Sequence, residues 1–136
     1  MPTYPLYDND ADALHAGSGR ALRDVTLEAV LDGSLTLEDV QVHRSALVAQ
    51  ADIARAAGYA QLAENLKRAA ELTVVPRSEI IEMYNLLRPG RSRREELDAL
   101  AQRLEDEFQA MRCAAMVREA AEVYTARGLL RHPDAL

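Results

Sequence analysis

The stretch Ala69–Leu97, AAELTVVPRSEIIEMYNLLRPGRSRREEL, decides the fold. Val75-Pro76 interrupts a helical period, because the residue before a proline is pushed out of the α region. Pro76 itself suits the first turn of a new helix. That helix sets Ile80, Ile81, Met83, Tyr84 and Leu87 along a broad apolar side and stops at Pro89-Gly90. The stretch is therefore one helical segment between two well-formed boundaries, with a helix on either side.

Working toward the N-terminus, Ser45 is the expected cap of a helix carrying Leu47, Val48, Ala51, Ala54 and Ala57 on one side. Gly58 is the expected C′ stop or kink, after which Leu62, Leu66, Ala69 and Ala70 resume the period to about Thr73. Residues 1–43 read as an irregular arm with short helical turns. Thr26 is a good N-cap for Leu27 to Leu31, and Thr36 with Asp39 resembles a capping box. Helices below about 12 residues are marginal alone, so these pieces need something to lie on.

Toward the C-terminus, Ser92 with Glu95 forms an S-x-x-E capping box, and 35 residues without Pro or Gly separate Ser92 from Gly128. Leu97, Ala101, Leu104, Phe108, Met111 and Ala115 follow a packed helical seam. Read as one helix, this segment is roughly 52 Å long. A domain of this size has a radius of gyration of about 14 Å, roughly 37 Å across. A partner covering the overhang is the expected remedy. The composition points the same way: 24 residues are Ala, there is one Phe and no Trp, and Ala buries little area. The expected fold is all-α, an open three-helix bundle with a long C-terminal helix and an irregular N-terminal arm. Residues 1–43 form the arm and 44–136 the helical domain of a single structural unit.

Little in the chain carries chemistry. The net charge is -6 with a pI near 5.1, which weighs against nucleic acid and anionic membranes. Nothing approaches the ~20 apolar residues of a membrane span. Cys113 is the one cysteine, which excludes an intrachain disulfide and implies a soluble, reducing-compartment protein. Asp12-x-x-His15 is a single copy in the arm, whereas a di-iron bundle needs two Glu-x-x-His motifs and two more carboxylates. Glu105-Asp106-Glu107 and Glu119/Glu122 read as a solvated helix face partly paired with Arg103, Arg112 or Arg118. Lys67, the one lysine, lies in a helical run beside Arg68. No catalytic, cofactor-binding or metal-ligating residue emerges.

Ile53–Tyr59 looks like the first helix and turn of a helix-turn-helix, but the buried positions of its recognition helix fall on Glu64 and Lys67. The cluster Arg88, Arg91, Arg93 and Arg94 opposes the dipole of the helix that follows. Glu95, Glu96 and solvent are one compensation; docking of the arginine forks on a partner is the other.

Taken together, Arg68-Ala-Ala-Glu-Leu-Thr73, Val75-Pro76, Ile80 to Leu87 with Tyr84-Asn85, Arg88-Pro89 and Arg91-Ser92 resemble the small (gamma) subunit of adenosylcobalamin-dependent propanediol and glycerol dehydratases. Tyr4-Pro5-Leu6, Leu22, Asp24, Thr26-Leu27-Glu28, Val30-Leu31, Val117-Arg118-Glu119-Ala120 and Tyr124 extend the resemblance over residues 4 to 130. It implies a non-catalytic subunit docked on a large (alpha) catalytic subunit, with a medium (beta) subunit in the same complex, typically a dimer of heterotrimers. In that family adenosylcobalamin lies between the large and medium subunits, and radical chemistry converts a 1,2-diol or glycerol to the aldehyde plus water. No cofactor is expected on this chain. Tyr84, Arg88, Pro89, Arg91, Arg118 and Tyr124 are the candidate interface residues. Some members carry an extension before Tyr-Pro-Leu associated with a bacterial microcompartment. Here Tyr4 follows Met1 almost directly, which leans toward the glycerol-dehydratase type and a cytoplasmic complex, without excluding microcompartment entry on a partner's signal. The alternatives are a free-standing helical interaction module, dimerising through the Leu97–Ala115 seam, and a DNA-binding protein.

Overall fold

The computed structural model describes residues 1–134. Its described residues are all-α, and they divide into two compact units, Met1–Thr73 and Val74–Leu136.

The first unit joins the N-terminal arm to a helical hairpin. The arm holds α1 (Leu6–Asn9), 3-10 turns at Ala11–Ala13, Leu22–Asp24 and Leu37–Val40, and α2 (Leu27–Leu31). Thr26 caps α2 by accepting the Ala29 N–H at 3.2 Å. The Thr36–Asp39 box is formed, with the Thr36 N–H donating to the Asp39 carboxylate at 2.7 Å. That carboxylate is buried and also accepts from the Ser18 hydroxyl at 2.5 Å and pairs with Arg20 at 3.2 Å. Two antiparallel bridges, His15 with Ala21 and Ala16 with Val42, close the arm into a loop. Gly17 permits this: its N–H meets the Gln41 carbonyl at 2.7 Å, and a Cβ there would sit 3.1 Å from Gln41 Cβ.

The hairpin pairs α3 (Arg44–Ala56) with α4 (Ala60–Leu72). The expected start at Ser45 moves by one residue, because His43 takes the N-cap position and its Nδ1 accepts the Ser45 N–H at 3.1 Å. Gly58 has φ +90° and ends α3, and Tyr59 N–H closes back on the Ala54 carbonyl at 2.8 Å. The bond forms because glycine enters the left-handed region without a Cβ penalty. The seam is made of Ala51, Ala54 and Ala63 with Leu66 against it, so the helices approach closely over small side chains.

The second unit holds α5 (Arg77–Leu86), α6 (Arg94–Phe108) and α7 (Met111–Arg127). The long C-terminal helix expected from residues 92–128 does not form. Gln109 adopts φ +50° and ends α6, and α7 runs back along α6. Arg94 reaches Glu122 at 2.5 Å and Thr125 at 3.2 Å, and Arg118 pairs with Glu105, which fixes the antiparallel register.

The reason is burial. A straight helix leaves the stripe Leu97, Leu100, Ala101, Leu104 and the stripe Cys113, Ala114, Val117, Ala121 both without a partner. Folding back buries all eight to 2% exposure or less. Three leucines and a valine at about 1.5–3 kcal/mol each exceed the 1–2 kcal/mol cost of a left-handed non-glycine residue. The α3–α4 and α6–α7 pairs are thus hairpins, one in each unit, with α5 against α6 in the second. The overhang that argued for a partner is absent with the long helix. Met111 and Ala115, expected in the seam, are exposed.

Candidate docking surfaces

The turn after α5 is built from its neighbours. Met83 is buried and anchors α5, which leaves Tyr84 pointing outward at 70% exposure. Arg88, Pro89 and Arg91 follow, all exposed. Their backbone is braced from three sides. The Tyr124 hydroxyl donates to the Leu87 carbonyl at 2.5 Å. The Gly90 N–H donates to the Leu129 carbonyl at 2.8 Å. The Ser92 hydroxyl donates to the Leu86 carbonyl at 2.7 Å, while the Ser92 carbonyl accepts the Arg131 N–H at 2.8 Å.

Buried in this way, Ser92 cannot serve as the expected helix cap. Arg93 takes the N-cap position, and Glu96, one residue after the predicted Glu95, accepts its N–H at 2.7 Å.

The six sequence-predicted interface residues separate into two groups. Tyr84, Arg88, Pro89 and Arg91 come together on or just after α5 with exposed side chains. Tyr124 braces that turn, and Arg118 holds Glu105 through two nitrogens, the second at 3.0 Å. The Arg118 hydrogen bond holds the Glu105 carboxyl below its ordinary range, and Glu105 raises the Arg118 guanidinium in turn. Within the arginine cluster, Arg94 is taken up by Glu122 and Asp98 and its pKa is raised, first by the Glu122 hydrogen bond. Arg93 is exposed beside it.

Arg103, which the sequence offered only as an intrahelical partner, instead ties α6 to α5 through Glu79 at 2.6 Å and Glu82 at 3.1 Å. No periodic signal marks such a pair, since the partners lie on different helices.

A second surface, unmarked by the sequence reading, lies in the arm, where Leu27, Val30, Leu31, Leu37, Val40 and Val42 are all at least half exposed. A capping-box reading finds the turns but not which side they present.

Among the described residues there is no group of three or more His, Cys, Asp or Glu that could hold a metal ion. His15 lies by the Ala13 carbonyl, and Cys113 is buried at the hairpin seam. The helix-turn-helix reading fails on geometry as well. Ala57–Tyr59 joins two helices that pack along each other, and Glu64, at a position a recognition helix buries, pairs with Arg55. No described helix is long and apolar enough to cross a membrane.

Comparison with known proteins gives a near full-length match. The family model described as "Dehydratase small subunit" covers residues 1–131. The chain is similar to the propanediol dehydratase small subunit of Citrobacter freundii, with 45% identity over 131 residues. Against that of Salmonella typhimurium (strain LT2) the identity is 46% over the same length. In both cases the match spans 96% of this chain and 76% of the relative.

Proposed function

The chain belongs to the dehydratase small-subunit family, and from this we propose that it is the non-catalytic small subunit of a coenzyme-B12-dependent diol dehydratase. As a small subunit it has partner subunits in a dehydratase complex. The observation that carries the reading is the match over 131 residues to two relatives named as propanediol dehydratase small subunits. Those names support propanediol as the substrate of the complex; glycerol is the alternative that the family resemblance implies.

In this proposal the large subunit is the direct partner, the medium subunit shares the complex, and the assembly is a dimer of such heterotrimers. The complex works in the cytoplasm or within a bacterial microcompartment. Adenosylcobalamin is held by the other subunits and supplies the radical chemistry when bound. No step of the reaction is assigned to this chain. Its work is to cover and rigidify its partner. Tyr84, Arg88, Pro89 and Arg91 make contact, while Tyr124 and Arg118 hold the backbone and hairpin that present them. Exposed aromatic and arginine side chains suit this role because Tyr and Arg are enriched at interface hot spots, and the braced backbone beneath them lowers the ordering cost of binding.

The test is co-expression with tagged large subunit and medium subunit. The expected result is co-elution of all three and full dehydration of the diol only when the small subunit is present. Recovery of a fully active large–medium complex with this chain left in the flow-through would overturn the proposal. Tyr84→Ala or Arg88→Ala should weaken retention while leaving the chain's helicity intact. Equal loss of both would assign these residues to folding.

A further inference from the structure

The chain enters the α3–α4 hairpin through a residue that can change its charge. Val42 closes the arm by bridging to Ala16, and His43, the next residue, is the N-cap of α3. At α2 the cap is Thr26, whose hydroxyl does not titrate. An imidazole does, ordinarily between about pH 5 and 8.

The geometry fixes which form of the ring does the capping. The Ser45 N–H points at His43 Nδ1 from 3.1 Å, and an amide can only donate, so Nδ1 must present its lone pair. The ring is then neutral, with its hydrogen on Nε2. The Ser45 hydroxyl, 2.7 Å from the same nitrogen, donates to it as well. Protonation undoes this arrangement in two ways. Nδ1 becomes a donor; the Ser45 hydroxyl can turn and accept from it, but the Ser45 amide has no such freedom and loses its partner. The charge gained lies at the start of α3, where it opposes the helix dipole. Both effects weaken the same turn.

The surroundings leave the ring open to a proton, since it is only partly buried. On α3, Arg44 and Asp52 border the recess beside it, and Arg55 lies three residues further on, taken up by Glu64 of α4. The N-terminal segment reaches the same recess through Pro2 and brings the Met1 ammonium near Asp52. On the arm side, Gln41 and Val42 carry no charge. Arg44 and the ammonium oppose a charge on the ring and Asp52 favours it. Among the described residues the ring's hydrogen-bond partner is Ser45, and no ion pair fixes its state. We infer that His43 is a pH-sensitive cap at the joint between arm and hairpin: neutral, it holds the first turn of α3; protonated, it releases that turn. The stabilising form is the neutral one, so its contribution is complete in weakly alkaline solution and is lost as pH falls through the imidazole range. The first turn of α3 therefore loosens at a milder pH than the carboxylate-held arm.

The test is NMR of the full chain, labelled with nitrogen-15, between about pH 5 and 8. At the upper end the His43 ring is expected to carry its hydrogen on Nε2. As the ring takes up its proton, the Ser45 amide is expected to lose about three- to tenfold in protection from exchange, after correction for the intrinsic pH dependence of exchange. His43→Asn supplies a cap that does not titrate and should hold that protection across the range, whereas His43→Ala should show low protection throughout. The Asn variant also separates His43 from the other two imidazoles, His15 and His132. A neutral ring with its hydrogen on Nδ1, or Ser45 protection that follows pH equally in His43→Asn, would overturn the switch. Protection that stays constant while His43 titrates in the unaltered chain would overturn it too, and that readout stands whether or not the variants fold.

Discussion

Asp39 is the residue on which the arm turns. The Ser18 hydroxyl, followed by the Thr36 amide, holds its carboxyl below the ordinary carboxylate range, and Arg20 adds to this. A depressed carboxyl stabilises the fold above its unfolded pKa, near 4, and that contribution is lost as pH falls through the lowered folded value. Between neutral pH and pH 3, amides of residues 15–42 are therefore expected to lose hydrogen-exchange protection. Asp39→Asn should lower their protection at pH 7 and flatten the pH dependence. Unchanged exchange in the variant would show that the carboxylate does not hold the arm. Tyr124→Phe removes the hydroxyl from the Leu87 carbonyl and should cost about 1 kcal/mol in urea unfolding, while Tyr84→Ala, far more exposed, should stay within about 0.5 kcal/mol. The half of the Asp39 site that lies within four residues was legible in the sequence. Ser18 and Arg20 were not, because hydrogen bonding across about twenty residues leaves no spacing to read.

At the scale of elements, the α6–α7 turn is the instructive case. Glu107-Phe108-Gln109-Ala110-Met111 contains no residue that breaks a helix, and local propensity continues through it. The break is imposed by pairing of Leu97, Leu100 and Leu104 with Cys113 and Val117, and the fully buried Ala110 sits at the bend. Leu104→Ala should therefore cost about 2–5 kcal/mol, measured by urea unfolding. Gln109→Gly should be neutral or stabilising by up to about 1 kcal/mol, whereas Gln109→Val, β-branched at positive φ, should destabilise by at least about 1 kcal/mol. If Val were as well tolerated as Gly, the left-handed turn would not persist in solution. The Gly58 and Pro89-Gly90 stops were legible because glycine and proline act locally, as did the Thr26 cap. The Ser92 cap was misplaced by one residue because Ser92 is drawn onto the Leu86 carbonyl, six residues back.

For the whole molecule, the exposed aliphatics of the arm predict that the free chain binds a hydrophobic dye such as ANS and that assembly with the large subunit quenches this signal. Dye binding unaffected by assembly would mean that the apolar surface stays open in the complex. Sequence by itself determined the all-α class, the helix starts and stops that rest on Pro, Gly and Thr, and, through ordered phrases along nearly the whole chain, the family. Each of these is written in residues close together or in identities that need no geometry. Tertiary structure alone decided that the C-terminal segment is a hairpin, that Arg103 and Arg118 clamp neighbouring helices, and that the arm turns its aliphatic residues outward. Those outcomes depend on which apolar stripe finds another across many residues, and burial of that kind outweighs the small local preferences that a sequence displays.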